Sequence, residues 1–369
     1  MKILIDLTSL ADNFSGIERY ALNISKEMVK EDKNNYYVLV FKNYIQYEFL
    51  QFKDRKNVEF IVLKGKNKLI FSQFILLKSL YKIRADKYLF LAFPSPILFR
   101  RNGIVNTIHD LTAFLYPKTM EYKSKIYFKY SIKNSVRVSE KIITVSQSSK
   151  NDIIKKFKIK NIYVIYNGIS EVFKNFKYNH EKNNKVLEKY GLKSGYFMSL
   201  GTLEPRKNLV VLLKAYIELC KDANFKDQLV LVGRFGWKFD EFIKNSDNEI
   251  IKKKLKFTGF VEEEDLPYIY INSKLFIFPS IYEGFGIPII EAAQLNVPIV
   301  VSHIPSSIEV TGGNAIFFET NNVNSLKKVL LDINTEEKLL KMKNNKTILE
   351  YIKKYNWNVQ AKRLIEIIR

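Results

Sequence analysis

Short, nearly continuous apolar runs alternate with stretches of helical spacing along this chain, and that alternation restricts its fold more than any other feature. The first series of runs is Lys2–Asp6, Tyr36–Phe41, Val58–Val62, Tyr88–Leu91, Ile104–Ile108, Lys141–Val145 and Ile162–Ile165. Between most of them lie stretches with apolar residues three and four apart, such as Ile17–Lys30, Leu69–Ile83, Ser124–Val138 and Ser148–Phe157. Strands that are apolar at almost every position need cover on both faces, and a parallel sheet flanked by helices provides it. After the turn signal Asn167-Gly168 comes a polar stretch, Lys174 to Lys189, with few apolar anchors. The alternation then restarts with Tyr196–Leu200, Gln228–Val232, Lys256–Thr258, Leu275–Phe278, Pro298–Val301 and Ala315–Phe318. The pattern predicts an α/β protein of two doubly wound, Rossmann-like domains, over 1–175 and 191–354. It places a linker at 176–190 and a C-terminal helix at 355–369 packing back toward the first domain. Two such domains facing each other leave one cleft, where the carboxyl ends of both sheets meet.

Composition removes other classes. With 47% hydrophobic residues, 22 Tyr and 27 Phe the chain is not disordered, and 14 Gly and 9 Pro exclude a collagen-like or linker-like polymer. The single cysteine, Cys220, forbids a disulfide framework and sits in an apolar helical pattern as filler. No apolar run reaches the roughly 18 residues of a membrane span; the longest, Tyr88 to Phe99, is broken by Pro94 and Pro96. The start, MKILIDLTSL, reads as a first strand rather than a signal peptide, so a cytoplasmic location is expected. The net charge of +22 is unevenly spread, +17 over residues 1–180 and +5 over 181–369. A coding bias accounts for 50 Lys against 10 Arg, but not for an excess confined to one half. A one-sided field points to a polyanionic partner, either nucleic acid or an anionic membrane surface.

The unusual residues cluster after strands. Gly195–Leu200 runs into Gly201-Thr202-Leu203-Glu204-Pro205-Arg206-Lys207-Asn208, then an apolar helix from Leu209. Pro205 suits a first helical turn, which predicts Arg206 and Lys207 just inside a helix N-terminus. Cations there oppose the helix dipole unless an anion occupies the site, gathering backbone N–H groups and both side-chain charges. After Leu275–Phe278 comes Glu283-Gly284-Phe285-Gly286-Ile287-Pro288-Ile289-Ile290-Glu291. Gly284 and Gly286 allow close approach of backbone to a ligand, and Pro288 again opens a helix. A carboxylate at Glu291 suits a ribose diol, and one at Glu283 suits the hydroxyls of a hexose. No Asp-x-Asp element and no His/Cys/carboxylate cluster with metal-ligand spacing is present, so neither metal nor cofactor is expected.

Glu283 and Glu291, with seven residues between them, resemble the Glu-x7-Glu signature of glycosyltransferase family 4, retaining enzymes with the GT-B fold. The run Gly201–Asn208 resembles the Gly-Thr-x-Glu-Pro-Arg-Lys-Asn element of that family's bacterial surface-polysaccharide members, which include mannosyl- and rhamnosyltransferases. Ser15-Gly16-Ile17-Glu18-Arg19-Tyr20, Ile108-His109-Asp110-Leu111, Val145-Ser146-Gln147-Ser148-Ser149 and Phe260–Leu266 agree in order and spacing. The first loop departs from the pattern, with one glycine in Phe14-Ser15-Gly16 where many relatives have two.

The resemblance implies that Arg206 and Lys207 bind the diphosphate of a nucleotide-sugar, with Gly16 and Gly201 in the donor loops. It implies that Glu291 holds the ribose, Glu283 the transferred sugar, the amides of Gly284, Phe285 and Gly286 assist, and Val261 lies against the base. His109 would face the donor sugar across the cleft. The implied function is transfer of a hexose from a nucleotide-diphosphate sugar, with GDP-mannose the first donor to consider, to a saccharide or lipid-linked saccharide acceptor in O-antigen or capsule synthesis. The implied mechanism is same-face, with no metal and no nucleic acid, at the inner face of the plasma membrane. Leu69–Arg84 reads as a core helix or a membrane-lying one, and Tyr122–Arg137, with Tyr and Phe among Lys123, Lys125, Lys129, Lys133 and Arg137, as membrane-lying. A GT-B nucleotide-sugar epimerase and a basic nucleic-acid-binding protein stand as alternatives.

Overall fold

Backbone amides in an apolar strand must bond to neighbouring strands, and here they do so in two all-parallel sheets. The computed structural model describes residues 1–10, 15–66, 70–222, 224–236, 254–333, 335–343 and 346–369. These residues divide into two units, one of Met1–Pro117, Tyr122–Gly168 and Tyr355–Arg369, the other of Lys118–Glu121 and Ile169–Lys354.

The first unit holds β1 (Lys2–Asp6), β2 (Tyr36–Lys42), β3 (Val58–Leu63), β4 (Lys87–Phe90), β5 (Ile104–Thr107), β6 (Lys141–Thr144) and β7 (Ile162–Val164). Their order is β3-β2-β1-β4-β5-β6-β7, so the direction of winding reverses between β1 and β4. Ile3, Leu4, Ile5 and Tyr37 through Val40 are fully buried, as a sheet covered on both faces requires. The helix Gly16–Glu31 starts at a capping box, in which the Ser15 amide donates to Glu18 Oε2 at 3.1 Å. It buries Tyr20, Ile24 and Met28, and the helix Trp357–Ile368 packs along it. That last helix is N-capped by Asn356, its Gln360 Oε1 accepts from the Tyr166 amide at 3.0 Å, and Lys141 Nζ donates to the Ile367 carbonyl.

Two stretches of this unit carried expectations about surface. In Leu69–Arg84, Leu69 lies outside the described residues, as does Phe14 of the first loop. The rest is a π-turn, Phe71–Leu76, continuing into the α-helix Leu77–Lys82. Phe71, Leu76 and Leu80 pack with Leu4, Val38 and Phe90 in the core, while Ile70 and Phe74 stay exposed. In the helix Tyr122–Val138 the inner face holds Ser131, Ile132 and Ser135, and Tyr122, Ile126 and Tyr130, four apart, are exposed.

The second unit holds β8 (Tyr196–Leu200), β9 (Leu229–Val232), β10 (Leu255–Gly259), β11 (Ser273–Phe278), β12 (Ile299–Ser302) and β13 (Ile316–Phe318), in the order β10-β9-β8-β11-β12-β13. The helix Leu209–Leu219 is apolar almost throughout because it is covered on most sides, with Leu212, Leu213 and Tyr216 packed against Phe197, Leu229 and Leu275. The stretch 176–190 is not a linker. Residues His180–Tyr190 form a helix of the second unit, N-capped by Asn179 and ended by Gly191 in the left-handed region. It has few apolar anchors, Val186 among them, because polar contacts also hold it: Lys189 Nζ and Tyr190 Oη contact Asp265 Oδ2 at 2.7 and 3.0 Å, and Asn272 Nδ2 donates to Asn183 Oδ1 at 2.6 Å. The chain leaves the first unit for most of the second at Gly168 and Ile169 and returns to it at Lys354 and Tyr355.

Trp357 is 4% exposed, with its ring 6.0 Å from that of Tyr20 and against Gly168, where a Cβ would lie 2.7 Å from the indole. Trp357→Ala removes this packing and is expected to destabilise the first unit by about 3–5 kcal/mol, read as an earlier urea transition.

Candidate active site

In the second unit the winding reverses between β8 and β11, which are hydrogen-bonded neighbours. The loops leaving their carboxyl ends therefore lie side by side, the arrangement in which open α/β sheets bind ligands. These loops are 201–208 and 279–286, the two that stood out in the sequence.

The first loop is shaped by close backbone approach. Gly201 has φ +151°, and a Cβ on Gly233 would stand 2.1 Å from the Gly201 carbonyl oxygen, so only glycine fits beside it. Pro205–Lys207 then form a single 3₁₀ turn that Asn208 ends in the left-handed region, at φ 55°. The α-helix begins only at Leu209. Arg206 and Lys207 thus precede the helix rather than sit inside its N-terminus, because Asn208 breaks the chain direction between them and it. Their cations answer to carboxylates instead of to a helix dipole.

Glu283 lies between them. Arg206 Nη1 donates to Glu283 Oε2 at 2.5 Å, and Lys207 Nζ to Oε1 at 2.7 Å. Arg206 Nη1 also reaches the Tyr282 carbonyl at 3.0 Å, and its Nη2 lies 2.8 Å from Glu204 Oε1. Lys207 Nζ stands 5.0 Å from the centroid of the Phe278 ring, and its stem crosses Gly201. The Glu283, Lys207 and Arg206 side chains are only 9%, 14% and 17% exposed. Burial alone would raise the pKa of Glu283, but the Arg206 and Lys207 charges outweigh it and hold it down at about 2. The carboxylate is therefore ionised throughout the physiological range. It keeps two like charges side by side at the end of β8.

The rest of the second loop opens the helix Ile287–Gln294, with Gly286 at its N-cap at φ 107°. Gly284, Phe285 and Gly286 are buried. Glu291 lies in the second turn of that helix, 2% exposed, and accepts from Tyr270 Oη at 3.0 Å. Val261 follows β10 at the edge of the sheet and is buried, beside the exposed Phe260 ring, on which the Arg234 guanidinium stacks at 4.7 Å. Among the site residues expected from the sequence, Gly201, Arg206, Lys207 and Glu283 are in one contact cluster. Glu204 is read from the sequence only as part of its motif, with no role of its own, and Tyr270 and Gly233 are not singled out. A glutamate two residues from an arginine was the one readable trace of these three.

Gly16 and His109 belong to the first unit. Gly16 is the first residue of its helix. His109 follows β5 and is half-buried, its Nε2 2.9 Å from the Leu91 carbonyl and its ring edge-on to Tyr20 at 5.1 Å. Enclosure lowers its pKa below the ordinary imidazole value, against the opposing pull of the Leu91 carbonyl, Asp110 and Glu18. A carbonyl only accepts, so Nε2 carries the proton and Nδ1 of the neutral ring is the acceptor. Among the described residues no group of three or more His, Cys, Asp or Glu side chains is gathered as for a metal.

Comparison with known proteins agrees across both units. Residues 14–172 match the family model Glycosyltransferase Family 4, and residues 179–350 match Glycosyl transferases group 1. The chain is 30% identical over 233 residues to O-antigen chain mannosyltransferase B of Escherichia coli, covering 63% of this chain and 61% of that relative. It is 28% identical to O-antigen chain mannosyltransferase RfbU of Salmonella typhimurium, over 78% of this chain and 75% of that relative. Among solved structures, Anabaena Alr3699/HepE, in complex with UDP and glucose, matches 99% of this chain and 98% of its own with a TM-score of 0.73 at 16% identity. WaaG, a glycosyltransferase involved in lipopolysaccharide biosynthesis, matches 99% of each with a TM-score of 0.73 at 14% identity. Both likenesses show the same fold, GT-B.

The lowered pKa of Glu283 links the cluster to stability. A carboxylate whose folded pKa lies below its unfolded value stabilises the fold above the unfolded value, and that contribution fades as pH falls toward the folded one. From about 4.3 unfolded to about 2 folded, the contribution is on the order of 3 kcal/mol. Glu283→Gln is therefore expected to lower stability at pH 7, with the gap to wild type narrowing between about pH 4 and pH 2 in denaturant titrations.

Proposed function

The chain belongs to glycosyltransferase family 4, and from that premise we propose that it transfers a hexose from a nucleotide-diphosphate sugar to a saccharide or lipid-linked saccharide acceptor. The observation that carries this reading is the meeting of Arg206, Lys207 and Glu283 at the switch point of the second sheet. Breaking the anomeric C–O bond leaves negative charge on the departing phosphate. Fixed cations that meet this growing charge stabilise the transition state more than the ground state. At an effective dielectric of about 20, one unit charge at 4 Å contributes roughly 4 kcal/mol, so two such side chains do this without a metal.

Each remaining group has a task in that reaction. Glu283 accepts from hydroxyls of the transferred sugar through the second lone pairs of its oxygens, and Glu291 accepts from the ribose. The neutral His109 offers Nδ1 to a sugar hydroxyl and steadies developing positive charge, while its Nε2–H stays on Leu91. Attack comes from the face the phosphate leaves, which takes up the acceptor proton, so the anomeric configuration is retained. The named mannosyltransferase relatives make GDP-mannose the first donor to try and surface polysaccharide the first setting. The acceptor's lipid is met by the first unit, where Tyr122, Ile126 and Tyr130 share a helix face with Lys133 and Arg137. That stripe suits an anionic bilayer, to which the protein binds peripherally from the cytoplasmic side.

A donor screen read by product mass, with GDP-, UDP- and dTDP-sugars, a lipid-diphosphate-linked saccharide and excess EDTA, is expected to give a retained glycoside. Arg206→Ala and Lys207→Ala are each expected to lower kcat tenfold or more, about 1.4 kcal/mol. No product with any donor, or product only when divalent metal is restored, overturns the proposal. In flotation assays the protein is expected to rise with liposomes rich in anionic lipid and to be released by salt, and Tyr130→Asp with Ile126→Asp to abolish the effect.

A further inference from the structure

Among the described residues of the second unit, the acidic residues buried as a whole are Glu204, Asp265, Glu283 and Glu291. Asp265 anchors the helix His180–Tyr190, and the two later glutamates have places in the reaction above. Glu204 has none. Yet its Oε1 accepts from Arg206 Nε at 3.1 Å and lies 2.8 Å from Nη2, while Nη1 on the other side of the same guanidinium is engaged by Tyr282 and Glu283. A guanidinium gripped along its Nε/Nη2 edge cannot rotate about the bond to its stem, so its plane is fixed. The main chain adds to the grip. Glu204 is the N-cap of the 3₁₀ turn that carries Arg206, and its carbonyl accepts from the Lys207 amide at 3.0 Å.

We propose that Glu204 is a positioning residue, holding the Arg206 guanidinium in the plane in which it meets the donor's diphosphate. The inference rests on the reading of this cluster as a diphosphate site. A carboxylate acting here through its charge alone would repel the phosphates, so neutralising it would tighten anion binding. A carboxylate acting through Arg206 does the opposite, because its loss lets the fork turn away. The sign of the effect therefore separates the two.

The test is titration calorimetry with GDP, UDP and inorganic pyrophosphate on the full chain, with thermal melting alongside. Glu204→Gln keeps the side chain's volume and one acceptor oxygen, and is expected to weaken binding three- to tenfold. Glu204→Ala is expected to weaken it more than tenfold. In an Arg206→Ala background the weakening should vanish or reverse, since only the repulsive charge is then left to remove. Tighter or unchanged binding by Glu204→Gln overturns the inference, as does equal weakening in both backgrounds. If Glu204→Ala does not fold, Glu204→Gln in the two backgrounds decides alone. A wild-type protein that binds none of the three anions overturns the reading of the site, and the inference with it; intact wild-type binding with additive variants overturns the inference only.

Discussion

A carboxylate buried between two cations organises the second unit. Glu283 would gain its proton if it were merely enclosed, and Arg206 and Lys207 would repel each other if they were merely adjacent. Together they form a fixed cluster whose members come from the ends of two neighbouring strands. Removing any one leaves an uncompensated charge in a place with little water, which is far more damaging than losing a surface ion pair. The backbone around the cluster is built for the same end. Gly233 admits the Gly201 carbonyl at a distance no other residue allows, and Asn208 takes a left-handed conformation that turns the chain into its helix.

That cluster needs no special scaffold beyond the order of the strands. In a parallel sheet wound in two directions, the loops at the reversal diverge to opposite faces and leave a gap between them. Here β8 and β11 flank it, so two short segments almost 80 residues apart in sequence share one site. The first unit repeats the scheme between β1 and β4, with the capped helix Gly16–Glu31 following β1. His109 follows β5 and is steadied by Leu91, just past β4. Each unit thus carries its unusual residues where its own topology offers a place for them.

The strands were legible because burial on both faces leaves a plain mark, an unbroken apolar run; Leu229–Val232 differs from its sequence assignment by one residue at one end, and Ile299–Ser302 by one residue at each end. What failed to show was structure held by polar contacts. The helix His180–Tyr190 looked like a linker because Asn183, Lys189 and Tyr190 anchor it through Asn272 and Asp265, partners that lie more than 70 residues away. The 3₁₀ turn at Pro205–Lys207 was hidden for a related reason. Proline at a first turn is compatible with either helix type, and only the left-handed Asn208 decides between them. Among the candidate site residues, those with a motif could be named in advance. Tyr270, which acts through a hydroxyl on Glu291, was not, since a buried tyrosine in an apolar helix reads as packing.

The balance of charge in the cluster has a consequence for turnover. Glu204 and Glu283 oppose Arg206 and Lys207, so two carboxylates accompany two cations within a few ångströms. A pair of bare cations would hold a diphosphate strongly before and after reaction alike, and such uniform binding lowers KM without raising kcat. With the carboxylates present, a ground-state diphosphate bound as proposed would meet a nearly neutral surface whose donors are already oriented. In the proposed transfer the extra negative charge on the leaving oxygen is new, and it would be met by N–H groups that need no reorganisation. On that proposal, discrimination between bound donor and transition state would come from geometry held in advance rather than from total charge.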